Sequence, residues 1–532
     1  MDKVFSRRSL LKWAAIGGGG VVLAACQPKV VKETVVVEKV VEKQVEKVVT
    51  QVVKETVMVE GTPQVVEKVV EKEVTAAPMA GWEGTIEIWS GGVQPDIPRG
   101  EGLDELHALR ELGDEWEEMH PGAKLDFIAG PGGDEYDAWL KSRQAAGTTP
   151  DICWAQDNFI NRDIGAGYWV SVDPWINTPN PYIPEGTPGH DRWRDAFIAG
   201  FSARNLMIDK RYYGVPQSYS AVQVYANVDL LEEAGIDVDT DITSPRWTFD
   251  SMLEVSQQIK DAGFTPWALN WASPYWVWIQ TSVFTGMFKS TGLWDKLDTN
   301  GDDFVTGLER FEAIMRGDYV ADCPELRATI KIAKDWVEYW AEGYLGLTNQ
   351  ETTDMFMRGE AAFMWNGTWY YPTMLNDPER DFDFKVVRFP DCAERMAEIG
   401  VGGTTTYPGG ACDLAAITQT AADKGSVESC IDFMKYYISC DGQSRVCKEH
   451  GGIPPVVRCA EGNPALKQFA PAPGETLLKT VHMRSMNAAY ADVWQRLHSE
   501  YLSGRMTIDE FLADFQPVME EYAADATERG AS

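Results

Sequence analysis

Twelve consecutive residues, 298–309, carry the side chains and the spacing of a calcium-binding loop. Oxygen ligands fall at loop positions 1, 3, 5 and 12 and a carbonyl falls at position 7, supplied in turn by Asp298, Asn300, Asp302, Glu309 and Phe304. Hard oxygen ligands of this kind suit Ca²⁺. Asp303 stands at position 6, where glycine is usual, so an acidic turn without a metal is the alternative. If calcium binds here, we expect it to pin a surface loop.

Tryptophan is the second residue type with a chemical use, and the chain has 20 of them. A large flat ring with one N–H donor stacks on ring-shaped ligands as well as filling cores. Trp89 and Trp154 each stand at the end of a predicted strand, and Asp157 and Asn158 follow the second of them. Sugars have apolar C–H faces and a rim of hydroxyls, which aromatic planes and planar polar groups fit. Core packing is the alternative for each single tryptophan.

Catalytic signatures are weak throughout the sequence. It contains no GxSxG, P-loop or HExxH pattern, so we expect a protein that is not an enzyme and that requires no cofactor. A surface glycosidase is the alternative, because 81 Asp and Glu residues make a chance pair of carboxylates easy to find. The net charge of −33 argues against nucleic acid and against an anionic membrane surface as partners.

The first 25 residues read as a signal peptide. Arg7-Arg8 resembles a twin-arginine export signal, and an apolar run follows that is too short to span a membrane. Leu23-Ala24-Ala25-Cys26 resembles a bacterial lipobox, which implies cleavage before Cys26 and a diacylglyceryl group on its sulfur. Two acyl chains would hold the protein stably on a membrane. An ordinary cleaved signal is the alternative.

Residues 26–80 form a low-complexity linker composed almost entirely of Val, Glu, Lys, Thr and Gln between positions 30 and 74. Val-Val-Lys-Glu-Thr occurs at 30–34 and again at 52–56. Such a segment cannot build a core, so we expect a spacer of uncertain conformation, with a self-associating coiled coil as the alternative. Of the nine cysteines, five lie between 412 and 459, where we expect any disulfide; buried free thiols are the alternative.

The elements that must position the rim residues alternate along the chain. Strands are predicted over 85–89, 124–128 and 151–154, and helices over 103–119 and 136–146. Strand, helix, strand, helix, strand is the pattern of a parallel sheet with right-handed crossovers. Because ligands sit outside the carboxyl ends of such strands, Trp89 and Trp154 are expected at one rim.

Further along, the chain resembles the ABC-transporter extracellular solute-binding proteins of family 1, the maltose-binding-protein-like group. The resemblance rests on an ordered set of motifs from residue 81 onward and on no single one of them. In chain order the motifs are Trp154-Ala155-Gln156-Asp157, Tyr213-Gly214-Val215-Pro216, Val222-Gln223-Val224-Tyr225-Ala226-Asn227, Leu230-Leu231-Glu232-Glu233-Ala234-Gly235, Ala361-Ala362-Phe363-Met364-Trp365-Asn366-Gly367, Gly409-Gly410 and Gly452-Ile453-Pro454-Pro455.

This resemblance implies an α/β fold of two lobes, periplasmic-binding-protein-like and of type II, closing on a ligand in the cleft. Hinge strands would lie near 215–224 and 410–417. Lobe one would comprise residues 82–212 with 410–440, and lobe two residues 213–409 with 441–532.

The resemblance also implies a site and partners. The ligand-binding set it predicts is Trp89, Trp154, Asp157, Asn158, Tyr219, Tyr275, Asn366, Trp369, Gly410 and Tyr490. The ligand would be a sugar or oligosaccharide, delivered to the transmembrane subunits of an ABC permease at the extracytoplasmic face of the membrane. A polyol phosphate or a peptide is the alternative ligand, but the rim segments named above carry no Arg or Lys for a phosphate.

Overall fold

The computed structural model describes residues 37–43, 46–59, 62–73, 82–99, 103–132, 135–198, 206–243, 247–272, 274–407, 409–470, 476–477 and 488–531. The predicted signal peptide and Cys26 lie outside these residues. The chain divides into two compact units, residues 1–80 and 81–532.

In the first unit, the described part of the Val/Glu/Lys segment is an antiparallel three-stranded sheet. Its strands, β1 (Val37–Lys43), β2 (Glu46–Val59) and β3 (Thr62–Glu73), pair in sequence order. Valine, which is branched at Cβ, favours strand over helix, and this preference prevails over the Glu/Lys spacing that would support a helix. The described backbone of this spacer is therefore extended and paired, which excludes the coiled-coil alternative for these residues.

The second unit is built on one nine-stranded sheet. Its strands and two short outlying ones are β4 (Gly84–Trp89), β5 (Ala123–Phe127), β6 (Ile152–Ala155), β7 (Trp169–Val170), β8 (Gly214–Asn227), β9 (Thr265–Trp267), β10 (Ala361–Gly367), β11 (Phe384–Val387), β12 (Thr406–Tyr407), β13 (Gly409–Thr418) and β14 (Thr476–Leu477). The main path runs β5-β4-β6-β13-β8-β10-β9, with β7 on β13 and β11 on β8.

Helices lie between and after these strands along the chain. They are α1 (Ala108–Met119), α2 (Tyr136–Ala146), α3 (Asp157–Asp163), α4 (Asp173–Ile176), α5 (Val228–Glu233), α6 (Phe249–Asp261), α7 (Tyr275–Ile279), α8 (Phe288–Thr291), α9 (Leu293–Leu297), α10 (Gly307–Arg316), α11 (Pro324–Val337), α12 (Asn349–Met357), α13 (Tyr371–Asn376), α14 (Ala393–Glu398), α15 (Gln419–Lys424), α16 (Val427–Tyr437), α17 (Cys440–His450), α18 (Ala488–Leu502) and α19 (Ile508–Ala531). Among these described helices, none has both the length and the apolar composition that crossing a bilayer requires.

The predicted parallel β-α-β-α-β unit is confirmed. Strand β4 pairs in parallel with β5 on one side and with β6 on the other, while α1 and α2 make the crossovers. Helix α1 begins at Ala108 and not at the predicted residue 103, because the Glu449 carboxylate accepts the N–H groups of His107 and Ala108 at 2.9 and 2.8 Å. These are first-turn donors that the helix itself leaves unpaired.

Two long antiparallel strands join the halves of the sheet. The first half of β8 pairs with β13, and its second half pairs with β10 and β11. Strand β13 in turn pairs with β6, so it stands between β6 and β8. We call the elements on the β5-β4-β6 side lobe one and those on the β10-β9 side lobe two. Strands β8 and β13 lie where the resemblance places the hinges.

The packing of the residues after position 440 departs from the predicted division of the lobes at that position. Residues beyond it, including Val446 and Val457, pack with Ile86 and Leu109 in the core of lobe one. Leu466 and Phe469 instead pack with lobe-two residues of β8 and β10. The chain therefore crosses between the lobes a third time over residues 458–463, later than the sequence motifs predict.

A disulfide joins Cys440 at the start of α17 to Cys459 in this third crossing. It falls within the region where the cysteine spacing predicts a bridge. The remaining described cysteines with placed side chains are buried and free, namely Cys153, Cys323, Cys392, Cys430 and Cys447. The predicted disulfide is therefore present between two of these cysteines, and the alternative, buried free thiols, describes the other five.

Candidate functional site

Trp89, the first predicted aromatic plane, ends β4 and is 4% exposed. Its ring packs edge-to-face on Trp139, with centroids 6.3 Å apart. Burial of this degree is that of a core side chain, so Trp89 offers a ligand no open face in this structure. It supports the rim from beneath.

Trp154 is the penultimate residue of β6, the strand that pairs with β4, and it is half-buried. Its ring contacts Tyr136 and Phe159, with centroid distances of 4.7 and 6.2 Å. Gly91 lies against the ring at a φ of 62°, and a Cβ at this position would come within 2.6 Å of it. The tight turn after β4 therefore requires glycine, and it fixes the plane of Trp154.

Asp157 and Asn158 begin α3 directly after this tryptophan, and each is 7% exposed. One Asp157 oxygen, Oδ1, accepts the N–H of Asn158 at 3.0 Å. The other, Oδ2, is buried and has no hydrogen-bond partner within the described part of the chain. A buried acceptor without a donor destabilises the protein, and a ligand hydroxyl could supply that donor.

Asp413 joins this rim to both hinge strands, although the sequence motifs do not single it out. It lies at an irregularity in the β13 register and accepts Gln156 Nε2 at 3.2 Å and Ser218 Oγ at 2.8 Å. Its carboxylate is thus shared between the end of β6 and strand β8. An isolated acid in the otherwise small and apolar strand Gly409–Thr418 is the signal that could have identified it.

The two predicted hinge residues lie on adjacent strands. Gly410 of β13 pairs with Ser220, and Tyr219 of β8 is half-buried beside it. The N–H of Tyr219 donates to the carbonyl of Pro454 at 3.2 Å. The hinge is thereby bonded to the segment that precedes the third crossing.

On lobe two, three aromatic rings contact one another in a row. Tyr275 is 2% exposed at the start of α7, and burial raises its pKa to about 12. Its ring centroid is 5.4 Å from that of Trp278, which lies 6.1 Å from Trp369. Trp369 is 40% exposed and covers Gly367, where a Cβ would come within 2.0 Å of the ring. Trp369 is thus the open plane of this group, and Tyr275 is a buried support.

Asn366 lies at the end of β10, just before this open plane, and is 8% exposed. Its Oδ1 accepts the N–H of Gly367 at 2.8 Å, which shapes the turn into Trp369. Tyr490, the last predicted contact, is the third residue of α18, and its side chain lies outside the described part of the structure.

The side-chain oxygens of the acidic loop, residues 298–309, accept hydrogen bonds from N–H groups of the loop itself. Asp298 accepts the N–H groups of Gly301 and Asp303, and Glu309 accepts Thr299 and Thr306 in a helix-capping arrangement. Asn300 and Asp302 likewise accept N–H groups two residues on, the latter from Phe304. Among the described residues, no three His, Cys, Asp or Glu side chains are grouped to hold a metal ion. Calcium binding by this loop stays a prediction.

Six of the ten predicted residues therefore fall into two groups, one on each lobe. Lobe one brings together Trp154, Asp157 and Asn158, and lobe two brings together Tyr275, Asn366 and Trp369. Strands β8 and β13 connect the two groups. The arrangement is that of an α/β fold of two lobes, each of which carries aromatic and polar side chains.

Comparison with known proteins identifies the family. A sequence profile described as "Bacterial extracellular solute-binding protein" matches residues 111–471. The chain belongs to this family, whose place is outside the cytoplasm. It is 24% identical over 273 residues to an uncharacterized ABC transporter extracellular-binding protein of Pyrococcus horikoshii, in an alignment that covers 50% of this chain. That alignment spans about half, 53%, of the relative's length.

Solved structures confirm the two-lobed fold. A chitin oligosaccharide binding protein matches with a TM-score of 0.56 and 21% identity, over 78% of this chain and 95% of that one. The GacH receptor of Streptomyces glaucescens, solved unliganded and with acarbose, matches with a TM-score of 0.57 and 18% identity, over 83% and 99%. A solute-binding protein from Thermotoga lettingae bound with alpha-D-tagatose matches with a TM-score of 0.57 and 15% identity, over 82% and 99%. These matched proteins are binding proteins.

Proposed function

We propose that this protein is a membrane-tethered receptor that binds a carbohydrate between its lobes and delivers it to the transmembrane subunits of an ABC importer. The observation that carries the proposal is the pairing of a half-buried Trp154 beside an unpartnered Asp157 oxygen with an exposed Trp369 on the other lobe. The family membership and the sugar-binding proteins among the structural matches support it.

Each of these groups has a distinct task in holding a sugar. The two indole planes cover apolar C–H faces, which is the contact that aromatic rings make best with a sugar ring. The free Oδ2 of Asp157 accepts a sugar hydroxyl, which removes the penalty of an unpaired buried acceptor. Stacking provides affinity, and the carboxylate provides orientation.

Closure of the two lobes would be the signal to the permease. A ligand that contacts both rims binds the closed state more tightly than the open one, so it shifts the population toward closure. The permease would read the closed arrangement of the two lobe surfaces. Strands β8 and β13 are the elements about which this movement would occur.

A carbohydrate library tested by thermal shift is the experiment for this function. A bound sugar should raise the Tm by mass action, and the Trp154→Ala variant should show a smaller rise at the same sugar concentration. Chromatography of the same mixtures reports turnover. Product formation would indicate the glycosidase alternative, whereas a Tm that responds only to peptides or polyol phosphates would replace the ligand class.

Tethering rests on the lipobox that ends at Cys26. In the proposed mature protein, lipid on this cysteine and the Val/Glu/Lys segment after it hold the binding unit at the membrane surface. We expect Cys26→Ser to move the protein from the membrane fraction to the soluble fraction without changing its Tm. Gln27→Ser is the matched control and should stay with the membrane. Membrane retention of Cys26→Ser would contradict the lipid anchor.

A further inference from the structure

A cavity lies between the lobes, and it is lined by none of the residues of the two aromatic groups described above. It has a volume of about 730 Å³, within the range of small-molecule pockets. Lobe one supplies the residues that follow β4 and the end of α17, and lobe two supplies α13. Pro372 and Leu375 of α13, together with Leu103, form an apolar wall, and Leu375 is 48% exposed.

Arg99 lines this cavity, and its guanidinium makes few hydrogen bonds within the protein. A guanidinium has five N–H donors, and within the described residues the carbonyl of His450 is its nearest acceptor, 3.4 Å from Nη2. No described carboxylate forms an ion pair with it. Burial lowers the pKa of Arg99, and the charges of Glu449 and Asp104 oppose that shift. The side chain is therefore a half-buried cation with donors to spare.

The histidine beside Arg99, His450, does not compensate the positive charge of the guanidinium. His450 is 6% exposed, and burial lowers its pKa to about 3, so the ring is neutral at pH 7. Its Nδ1 accepts the N–H of Gly452 at 3.2 Å, so the ring proton sits on Nε2, the atom 3.4 Å from Arg99 Nη2. That contact joins two donors and is not a hydrogen bond. The guanidinium consequently faces the cavity without a strong partner.

Three carboxylates also line the cavity, and they restrict what Arg99 can bind. Glu449 is already engaged, since both of its oxygens accept N–H groups at the start of α1. Asp104 and Glu105 are exposed at the mouth and keep acceptor capacity. A phosphate dianion would be repelled by these acids and has few donors to offer them. A monoanion that also carries hydroxyl groups satisfies both the cation and the acids.

We infer that this cavity is a subsite for a uronic acid residue, whose carboxylate binds Arg99. Hydroxyl groups of the same ring donate to Asp104 and Glu105, and its C–H face lies on Leu375 and Pro372. Because the lining comes from both lobes, the acidic sugar is enclosed only when the lobes are closed. This inference rests on the proposed carbohydrate receptor and names the class of sugar that it takes.

The test is calorimetric titration of matched disaccharide pairs. The acidic members are disaccharides of galacturonic, glucuronic and mannuronic acid, and the neutral members are those of galactose, glucose and mannose. We expect wild-type protein to bind at least one acidic member about tenfold more tightly than its neutral counterpart, the order of a charge-assisted hydrogen bond pair. Arg99→Gln should bring that ratio close to one.

Two further variants keep the result interpretable. Arg358→Gln is the matched control, because Arg358 is exposed, is ion-paired with Glu360 and does not line the cavity; it should leave the ratio unchanged. Leu375→Trp fills the cavity from lobe two without altering Arg99, and it should remove the acidic preference even if Arg99→Gln fails to fold.

The possible failures are distinguishable. Tight binding of neutral disaccharides with no acidic preference, or an acidic preference that survives both Arg99→Gln and Leu375→Trp, overturns the uronate subsite and leaves the carbohydrate receptor standing. Binding of none of the six disaccharides, together with no response to the wider carbohydrate library, overturns both.

Discussion

The two sides of the predicted cleft differ in the kind of contact they offer. On lobe one, Trp154 is held by neighbouring rings, and the buried oxygen of Asp157 beside it lacks a donor among the described residues. On lobe two, Trp369 projects from a stack of buried aromatic rings and is 40% exposed. In the proposed complex, lobe one would orient the sugar through a hydrogen bond to Asp157, and lobe two would provide the open plane of Trp369.

On lobe two, a buried tryptophan and an exposed one, Trp365 and Trp369, are only four positions apart in the sequence. Trp365 is fully buried, stacked on Phe389 at 4.3 Å, whereas Trp369 is exposed. We expect Trp365→Ala to lower the free energy of unfolding by about 3–5 kcal/mol, and Trp369→Ala to lower it by less than about 1 kcal/mol. Urea titration of both variants measures the difference. Equal losses would mean that Trp369 is a core residue.

Acid should destabilise both lobes, because each holds a buried neutral histidine. Burial lowers the pKa values of His450 on lobe one and His498 on lobe two to about 3. The unfolded chain therefore binds more protons below pH 6.5, and stability falls as pH drops, by about 2 kcal/mol per histidine between pH 7 and 5. His107 opposes this trend, because its hydrogen bond to Asp96 raises its pKa.

Urea unfolding at pH 7, 6 and 5 measures this dependence. Replacing either histidine with glutamine should remove about half of the slope, whatever that variant does to stability at pH 7, because the slope counts protons and not contacts. A slope unchanged in both variants would contradict the assignment of the two buried histidines.

Local pattern was enough to predict the first five elements of lobe one and the position of Trp154 at its rim. Prediction from local pattern failed where contacts with residues distant in sequence determine the structure. The start of α1 depends on Glu449, and the third crossing depends on the packing of Val446 and Val457 against Ile86. Trp89 and Trp154 lie near the carboxyl ends of two paired strands, yet neighbours that no periodicity encodes bury Trp89 far more than Trp154. Arg99 has no motif around it, and only the cavity makes it visible.

Measurements of ligand affinity compare the two aromatic planes, Trp154 and Trp369, directly. Trp154→Ala and Trp369→Ala should each weaken sugar binding by about 1–3 kcal/mol, the order of a lost stacking plane. Because Trp154 also contacts Tyr136 and Phe159, its variant should lower the Tm more than the Trp369 variant does. Calorimetric titration and a thermal melt of each variant test this. Unchanged affinity in both would remove the two tryptophans from the site.

The smallest effect concerns the acidic loop between α9 and α10, away from both planes. The spacing of Asp298, Asn300, Asp302 and Glu309 predicts that millimolar Ca²⁺ raises the Tm by about 1–2 °C. Glu309→Gln should abolish that rise. It should also lower stability by about 0.5–1 kcal/mol without calcium, because Glu309 accepts N–H groups from Thr299 and Thr306.

The two effects of Glu309→Gln separate the two roles of the loop. In the structure its carboxylates are bound by the loop's own N–H groups, so the turn can stand without a metal. Calcium would then compete for oxygens that already have partners, which limits how much it can add. A melt that is the same in Ca²⁺ and in EDTA, with the variant still destabilised, would leave Glu309 as a helix cap and the loop as a turn.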